Sequence, residues 1–185
     1  MKIILASASP RRKEILGLAG FDFTIDVSNV DEVVEYNTIS EMSMNIAKKK
    51  TYAVFKRHQN SLVIGADTIV LYNNKVLEKP KSIDEARDMI TLLQGHTHQV
   101  YTSVVLKSQD KEISFLEITD VKIGKMEKQE IEDYINTSEP YDKAGGYAIQ
   151  GIFSKYVKSI KGDYYNVMGL PIHKVFESLK QFNIL

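Results

Sequence analysis

Apolar and polar positions follow helix or strand periods along most of the chain. A short apolar run at residues 2–6 predicts a buried strand. Ser9 before Pro10 is a good N-cap followed by a good first helical residue, so a helix is expected over residues 10–19, stopped by Gly20. Residues 21–28 alternate well enough for a second strand. Ser40 opens another helix, where Met42, Ile46, Ala53 and Val54 give a partial apolar stripe. A buried strand at 61–64 should end in Gly65-Ala66-Asp67-Thr68, and residues 69–72 and 75–77 flank Asn73-Asn74 as a hairpin.

Ser82-Ile83-Asp84-Glu85 has the capping-box pattern and starts a helix that ends near Gly95. Two longer strands are expected at 97–107 and 112–123, then a helix at 128–136 and a loop from Glu139 to Gly146. Short strands at 147–149 and 153–160 lead to Gly162. Pro171 starts the last helix, with an apolar stripe of Ile172, Val175, Phe176, Leu179 and Phe182. No repeat, low-complexity tract or linker interrupts the series. Helices, hairpins and short buried strands in this mixture predict an α/β fold with a mixed sheet.

Composition narrows the class. With 185 residues, 43% of them apolar, the chain is long enough to bury roughly 70% of its unfolded surface in one domain, with room for two lobes. Disorder, collagen and coiled coil are excluded. Twenty-four basic residues meet twenty-four acidic ones, which argues against a protein that lives on duplex nucleic acid. The absence of cysteine removes disulfides, thiolate metal sites and cysteine nucleophiles, and fits a reducing compartment. No apolar run approaches the roughly 18 residues of a membrane span, and the N-terminal run is too short for a signal peptide. A soluble, cytoplasmic protein is the expectation.

Ser7-Ala8-Ser9-Pro10-Arg11-Arg12 joins a strand to a helix N-terminus, where free N–H groups, the helix dipole and two arginines favour a phosphate. Arginines in a first turn oppose the dipole, so they need another reason to be there; an exposed basic patch with ordinary capping is the alternative. Asp67-Thr68, at the end of an apolar strand, could hold a metal or take a proton from water, or simply cap a turn. Asp31-Glu32 supplies a second carboxylate pair. Lys50, Lys79 and Lys143 read individually as surface lysines, although Lys79 and Lys143 lie in turn-like segments that can aim a side chain. Gly146 and Gly151 have phosphate-loop spacing, but Ile152-Phe153 replaces the required Lys-Ser/Thr. His96 and His98 would share a strand face and are read as structural.

In order along nearly the whole chain, these segments resemble the Maf family, the septum-formation-inhibitor-like nucleotide pyrophosphatases. The residues that carry the resemblance are Ser7 to Leu16, Ser28 with Asp31-Glu32, Ala47 with Lys50, Gly65-Ala66-Asp67-Thr68 and Glu78-Lys79-Pro80. Gly95-His96-Thr97-His98, Glu139 to Gly145, Gln150-Gly151 and Val167-Met168-Gly169-Leu170-Pro171 complete it. Thr51, where alanine is common, and Gly146 before Tyr147 are small departures that touch no proposed charge.

The resemblance implies a single domain over residues 1–185 with a mixed, elongated twisted sheet flanked by helices. It also implies two lobes around an active-site cleft, similar to the inosine-triphosphate pyrophosphatases. The implied activity is hydrolysis of a nucleoside triphosphate to the monophosphate and pyrophosphate, with removal of modified nucleotides and arrest of cell division as roles. Arg11, Thr68 and Gln150 look like the specificity set of the branch acting on dTTP and UTP, where the 7-methyl-GTP branch has Trp, Gln and Glu. Ser7, Arg12, Lys50, Lys79 and Lys143 become candidates for the triphosphate. Glu32 and Asp67 become ligands for a divalent cation, Mg²⁺ or Mn²⁺, and Asp67 the base. The expected partner is the nucleotide, with no stable nucleic acid and no membrane; a homodimer is left open. The competing reading is a nucleotide-sensing regulator of septum formation that binds without turnover. Paired carboxylates beside the basic set favour chemistry, since phosphate binding alone needs no such pair.

Overall fold

The computed structural model describes residues 1–184. In chain order the elements are β1 (Ile3–Leu5), α1 (Pro10–Leu18), β2 (Phe23–Ile25), α2 (Ile39–Phe55), β3 (Leu62–Tyr72), β4 (Lys75–Leu77) and α3 (Ile83–Leu93). They continue with β5 (Thr97–Lys107), β6 (Glu112–Ile123), α4 (Lys128–Ile135), β7 (Val157–Lys161), α5 (Tyr164–Met168) and α6 (Ile172–Lys180). The strands form one mixed sheet in the order β2-β1-β3-β5-β6-β7, with β4 beside β3. This is the mixed α/β class expected from the sequence.

β1 runs parallel to both neighbours, Ile3 facing Phe23 on one side and Leu62 on the other. A parallel strand covered on both faces reads as an unbroken apolar run, which is why residues 3–5 and 62–64 are buried throughout. β3 and β4 form the expected hairpin. Asn73 and Asn74 carry φ of 48° and 61°, the left-handed pair that a two-residue turn between twisted strands requires.

Two compact units divide the chain. The first comprises Met1–Asp67, Thr102–Glu117 and the stretch from Gly169 on; the second comprises Thr68–Tyr101 and Ile118–Met168. In the first, Ile4, Ala6, Val54 and Val63 form a buried cluster flanked by Phe55, so α2 covers β1 and β3. α2 starts at a capping box: Thr38 accepts from the Glu41 N–H while the Glu41 carboxylate accepts from the Thr38 N–H. The second unit has an aromatic core, with the Phe153 ring 4.8 Å from Tyr134 and 5.0 Å from Tyr147.

Several expectations are corrected. β3 does not end at residue 64; it continues through Gly65-Ala66-Asp67-Thr68 to Tyr72, so Asp67 sits inside a strand rather than capping a turn. Residues 147–149 form no strand, and 152–156 form a single-turn 3₁₀ helix before β7. The physical reason for the second is that the Ile152 and Phe153 N–H groups bond to the Glu139 carboxylate, 13 and 14 residues earlier, instead of a strand ladder. α5 has no counterpart in the expected elements. On α6, Val175 and Leu179 face the core as expected, with Phe182 buried just beyond it, but Phe176 is exposed and Ser178 is buried, donating to the Lys174 carbonyl.

Candidate active site

The first unit gathers Ser7, Arg12, Glu32, Lys50 and Asp67. Its geometry begins with two small features. Gly65 lets α2 approach β3 so closely that a methyl group there would stand 2.0 Å from Thr51 Oγ1. Thr51 turns its hydroxyl back to donate to the Ala47 carbonyl at 2.7 Å, satisfying a buried polar group within its own helix. One residue before Thr51 is Lys50, and two after Gly65 is Asp67; the close approach joins them, Nζ to Oδ1, at 2.9 Å.

Lys50 also pairs with Glu32 Oε1 at 2.8 Å, so one ammonium is bracketed by two carboxylates. The neighbouring acid Asp31 goes elsewhere, to Lys49. Asp67 is only 5% exposed, and its second oxygen, Oδ2, is buried without a hydrogen-bond partner. Such an atom is costly unless something binds it. It is the open acceptor of the site.

Arg12 explains why a cation stands in the first turn of α1. Its side chain does not project into solvent as part of a basic patch; it is buried, with Nε donating to the Gly169 carbonyl at 2.8 Å and Nη1 to Ser7 Oγ at 3.1 Å. Burial pulls the Arg12 pKa down, Asp67 opposes that, Arg11 adds to it, and Glu32 opposes it more weakly. Arg12 is thus electrostatically joined to the Lys50–Asp67 pair. Ser7 Oγ also accepts from the Ser9 N–H at 3.2 Å, and Ser9 Oγ caps α1 by accepting from the Arg12 N–H. Together the strand end, the capped helix start and the fixed guanidinium put donors suited to phosphate oxygens at one helix N-terminus. Arg11, its neighbour, is half-buried.

The remaining candidates, Thr68, Lys79, Lys143 and Gln150, belong to the second unit. There the Gly145 N–H donates to the Glu78 carbonyl at 3.2 Å, which brings the Glu78-Lys79-Pro80 turn beside the Lys143 turn. Lys143 Nζ donates to the Glu139 carbonyl at 3.0 Å and pairs with Asp142. Thr68 follows Asp67 on β3 and is half-buried, while Gln150 is exposed. His96 and His98 do not share an environment: His96 is exposed, and His98 is buried with Nε2 2.7 Å from Tyr147 Oη. Burial drives the His98 pKa down to about 4, so the ring is neutral and structural.

No group of three or more His, Asp or Glu side chains able to hold a metal occurs among the described residues. A pair of carboxylates fits one cation nonetheless. Mg²⁺ keeps several waters and takes one or two carboxylates together with substrate phosphates. Glu32 and Asp67, paired to the same ammonium, are two carboxylates close enough together to be candidates for such an ion. Sequence reasoning missed Gly169, Thr51 and Gly65 as architects of the site. Gly169 contributes only a carbonyl acceptor, which no residue identity announces; the small Gly65 opposite a threonine was the available signal.

A buried guanidinium at a helix start, beside an ion-paired carboxylate with one open oxygen, is the equipment of a mixed α/β protein that handles a phosphorylated ligand. The Maf-like protein family matches residues 2–182, and the chain belongs to that family. A dTTP/UTP pyrophosphatase of Bacillus cereus is 48% identical over 99% of this chain and 96% of its own length. A Bacillus anthracis protein of the same name matches with the same identity and coverage. Among solved structures, the Staphylococcus aureus Ham1 protein aligns with 66% of this chain and 72% of its own at 16% identity and a TM-score of 0.44. No helix among the described residues is long and apolar enough to cross a membrane.

Proposed function

We propose that this protein hydrolyses dTTP and UTP to the nucleoside monophosphate and pyrophosphate. The observation that carries the reading is the open, buried Oδ2 of Asp67, held in place through Oδ1 by Lys50 beside the buried Arg12. The names of the relatives supply the substrate. Ser7, Arg12 and the N-terminus of α1 bind phosphate oxygens, and Lys50 contributes positive charge within reach of the same ligand. Asp67 Oδ2 accepts a proton as water attacks the α-phosphorus. The new P–O bond forms as the bond from the α-phosphorus to the bridging oxygen breaks, and pyrophosphate leaves with the electron pair.

Glu32 and Asp67 would hold a divalent cation, which would supply charge neutralisation for the triphosphate and the departing pyrophosphate. Lys79 and Lys143 are further cations for a polyphosphate, and Gln150 with Thr68 reads the base. A uracil or thymine edge presents an N–H donor between carbonyl acceptors, which an amide and a hydroxyl complement.

A panel of dTTP, UTP, CTP, GTP and 7-methyl-GTP, assayed with Mg²⁺ for pyrophosphate release, tests the proposal. UTP and dTTP should exceed CTP by about tenfold or more, since a base edge left unpaired costs roughly 1–3 kcal/mol. Nucleotide binding without pyrophosphate from any substrate would favour the non-catalytic regulator.

A further inference from the structure

Gln150 is an exposed amide on a turn closed by the Gly151 N–H donating to the Ala148 carbonyl at 3.2 Å. An amide free to rotate presents either its oxygen or its nitrogen, so it reads cytosine as readily as uracil. Rotation about Cγ–Cδ sets which amide atom faces the base; the backbone sets where the amide stands against the base edge, and selectivity needs that position fixed. The near side of the turn is anchored by burial of Tyr147, Ala148 and Ile149.

The far side is anchored by one carboxylate. Glu139 Oε2 accepts from the Ile152 N–H at 2.6 Å, and Oε1 accepts from the Phe153 N–H at 3.1 Å and from the Tyr134 hydroxyl at 3.1 Å. Gly151 passes over the carboxylate so closely that a methyl group on it would stand 2.0 Å from Oε2. The Tyr134 hydroxyl also lies 3.0 Å from the Gly146 carbonyl, so its one proton is shared between that oxygen and Glu139, and burial with the adjacent Glu139 charge pushes the phenol pKa up. The backbone carbonyl of the same Glu139 receives Lys143 Nζ.

We propose that Glu139 is the positioning residue for base selection: its carboxylate fixes the turn that aims Gln150, while its carbonyl steadies Lys143. The proposal rests on the pyrimidine reading of the site and extends it to a residue that touches no substrate. Charge-assisted bonds to two successive N–H groups and a hydroxyl give a stiffness that a neutral acceptor cannot match. Gly151 is required because any side chain there would displace the carboxylate.

Glu139→Gln tests it, because an amide keeps the size but sets an NH₂ against a backbone N–H. The readout is the UTP:CTP ratio of kcat/KM. The ratio should fall from about tenfold toward about twofold, with KM for UTP rising more than kcat falls. In the double variant Glu139→Gln with Gln150→Ala, the ratio should equal that of Gln150→Ala alone. If Glu139→Gln melts below the assay temperature, Gly151→Ala disturbs the same carboxylate from the turn side and is read by the same ratio. An unchanged ratio in a folded variant, or additive losses in the double variant, overturns the proposal and leaves the pyrophosphatase reading standing. A wild-type protein that shows no preference for UTP and dTTP overturns both.

Discussion

The two units prepare their side chains for a ligand by different forces. In the first, every candidate is charged or bonded to a charge; Asp67, Lys50 and Arg12 are seated on β3, α2 and α1, while Ser7 and Glu32 lie on loops beside them. In the second, the base-reading candidate is a neutral amide on an irregular turn, held from behind by Glu139. Phosphate needs strong attraction, which charged groups fixed on rigid elements provide. A base edge needs direction, and direction here comes from hydrogen bonds to the backbone.

Removing the negative charge from the first unit should break the contrast most sharply. Asp67→Asn keeps the shape but loses basicity, so turnover should fall by about two to four decades. Nucleotide binding, followed by titration calorimetry, should survive better than turnover. Near-normal hydrolysis would reject Asp67 as the base.

Arg12→Lys should cost roughly tenfold to a hundredfold in kcat/KM, because a single ammonium cannot serve both Gly169 and Ser7 as the guanidinium fork does. The UTP:CTP ratio should not move, since Arg12 handles phosphate. A change in that ratio would show that Arg12 also bears on the base.

Gly65→Ala should destabilise the protein by about 1–3 kcal/mol by driving a methyl group into Thr51. Adding Thr51→Ala should recover part of the loss, as read from urea midpoints, because it removes the nearest atom. No recovery would mean that the contact with the Thr51 backbone, not its hydroxyl, sets the spacing of α2 on β3.

A pH effect probes the core of the second unit. His98 takes a proton near its ordinary 6.5 when unfolded but resists until about 4 when folded. Stability from its burial is therefore full above about pH 6.5 and is lost as pH falls toward 4, at up to about 1.4 kcal/mol per pH unit. Denaturant melts between pH 7 and 4.5 should show this slope, and His98→Gln should flatten it.

Much of the framework was legible from residue pattern. The bounds expected for β5 and β6 coincide with the strands, because long alternating runs between clear turn residues leave little freedom. Asn73-Asn74 announced its hairpin, and Ser9-Pro10 and Ser82 announced their helices. The segment from 147 to 156 was misread as strands because its apolar residues, Tyr147, Ile149 and Phe153, are core residues of a turn-rich segment. Apolar spacing cannot distinguish the two when a distant carboxylate claims the N–H groups.

The candidate site divides in the same way. Of the charged residues, Arg12 could be picked out by its place at a helix start. Glu32, Lys50 and Asp67 could be picked out only through the family resemblance, since each alone also reads as a loop, surface or turn-capping residue. Their partners could not. That Lys50 bridges Glu32 and Asp67, that Arg12 is clasped by a carbonyl at residue 169, and that Asp67 Oδ2 stays open are decided only when α2 closes on β3 and the two chain ends meet around α1. Sequence determines local propensity and the inventory of charges. Tertiary packing determines which charges are buried together, because desolvation and hydrogen-bond partnership depend on distances that no local pattern encodes.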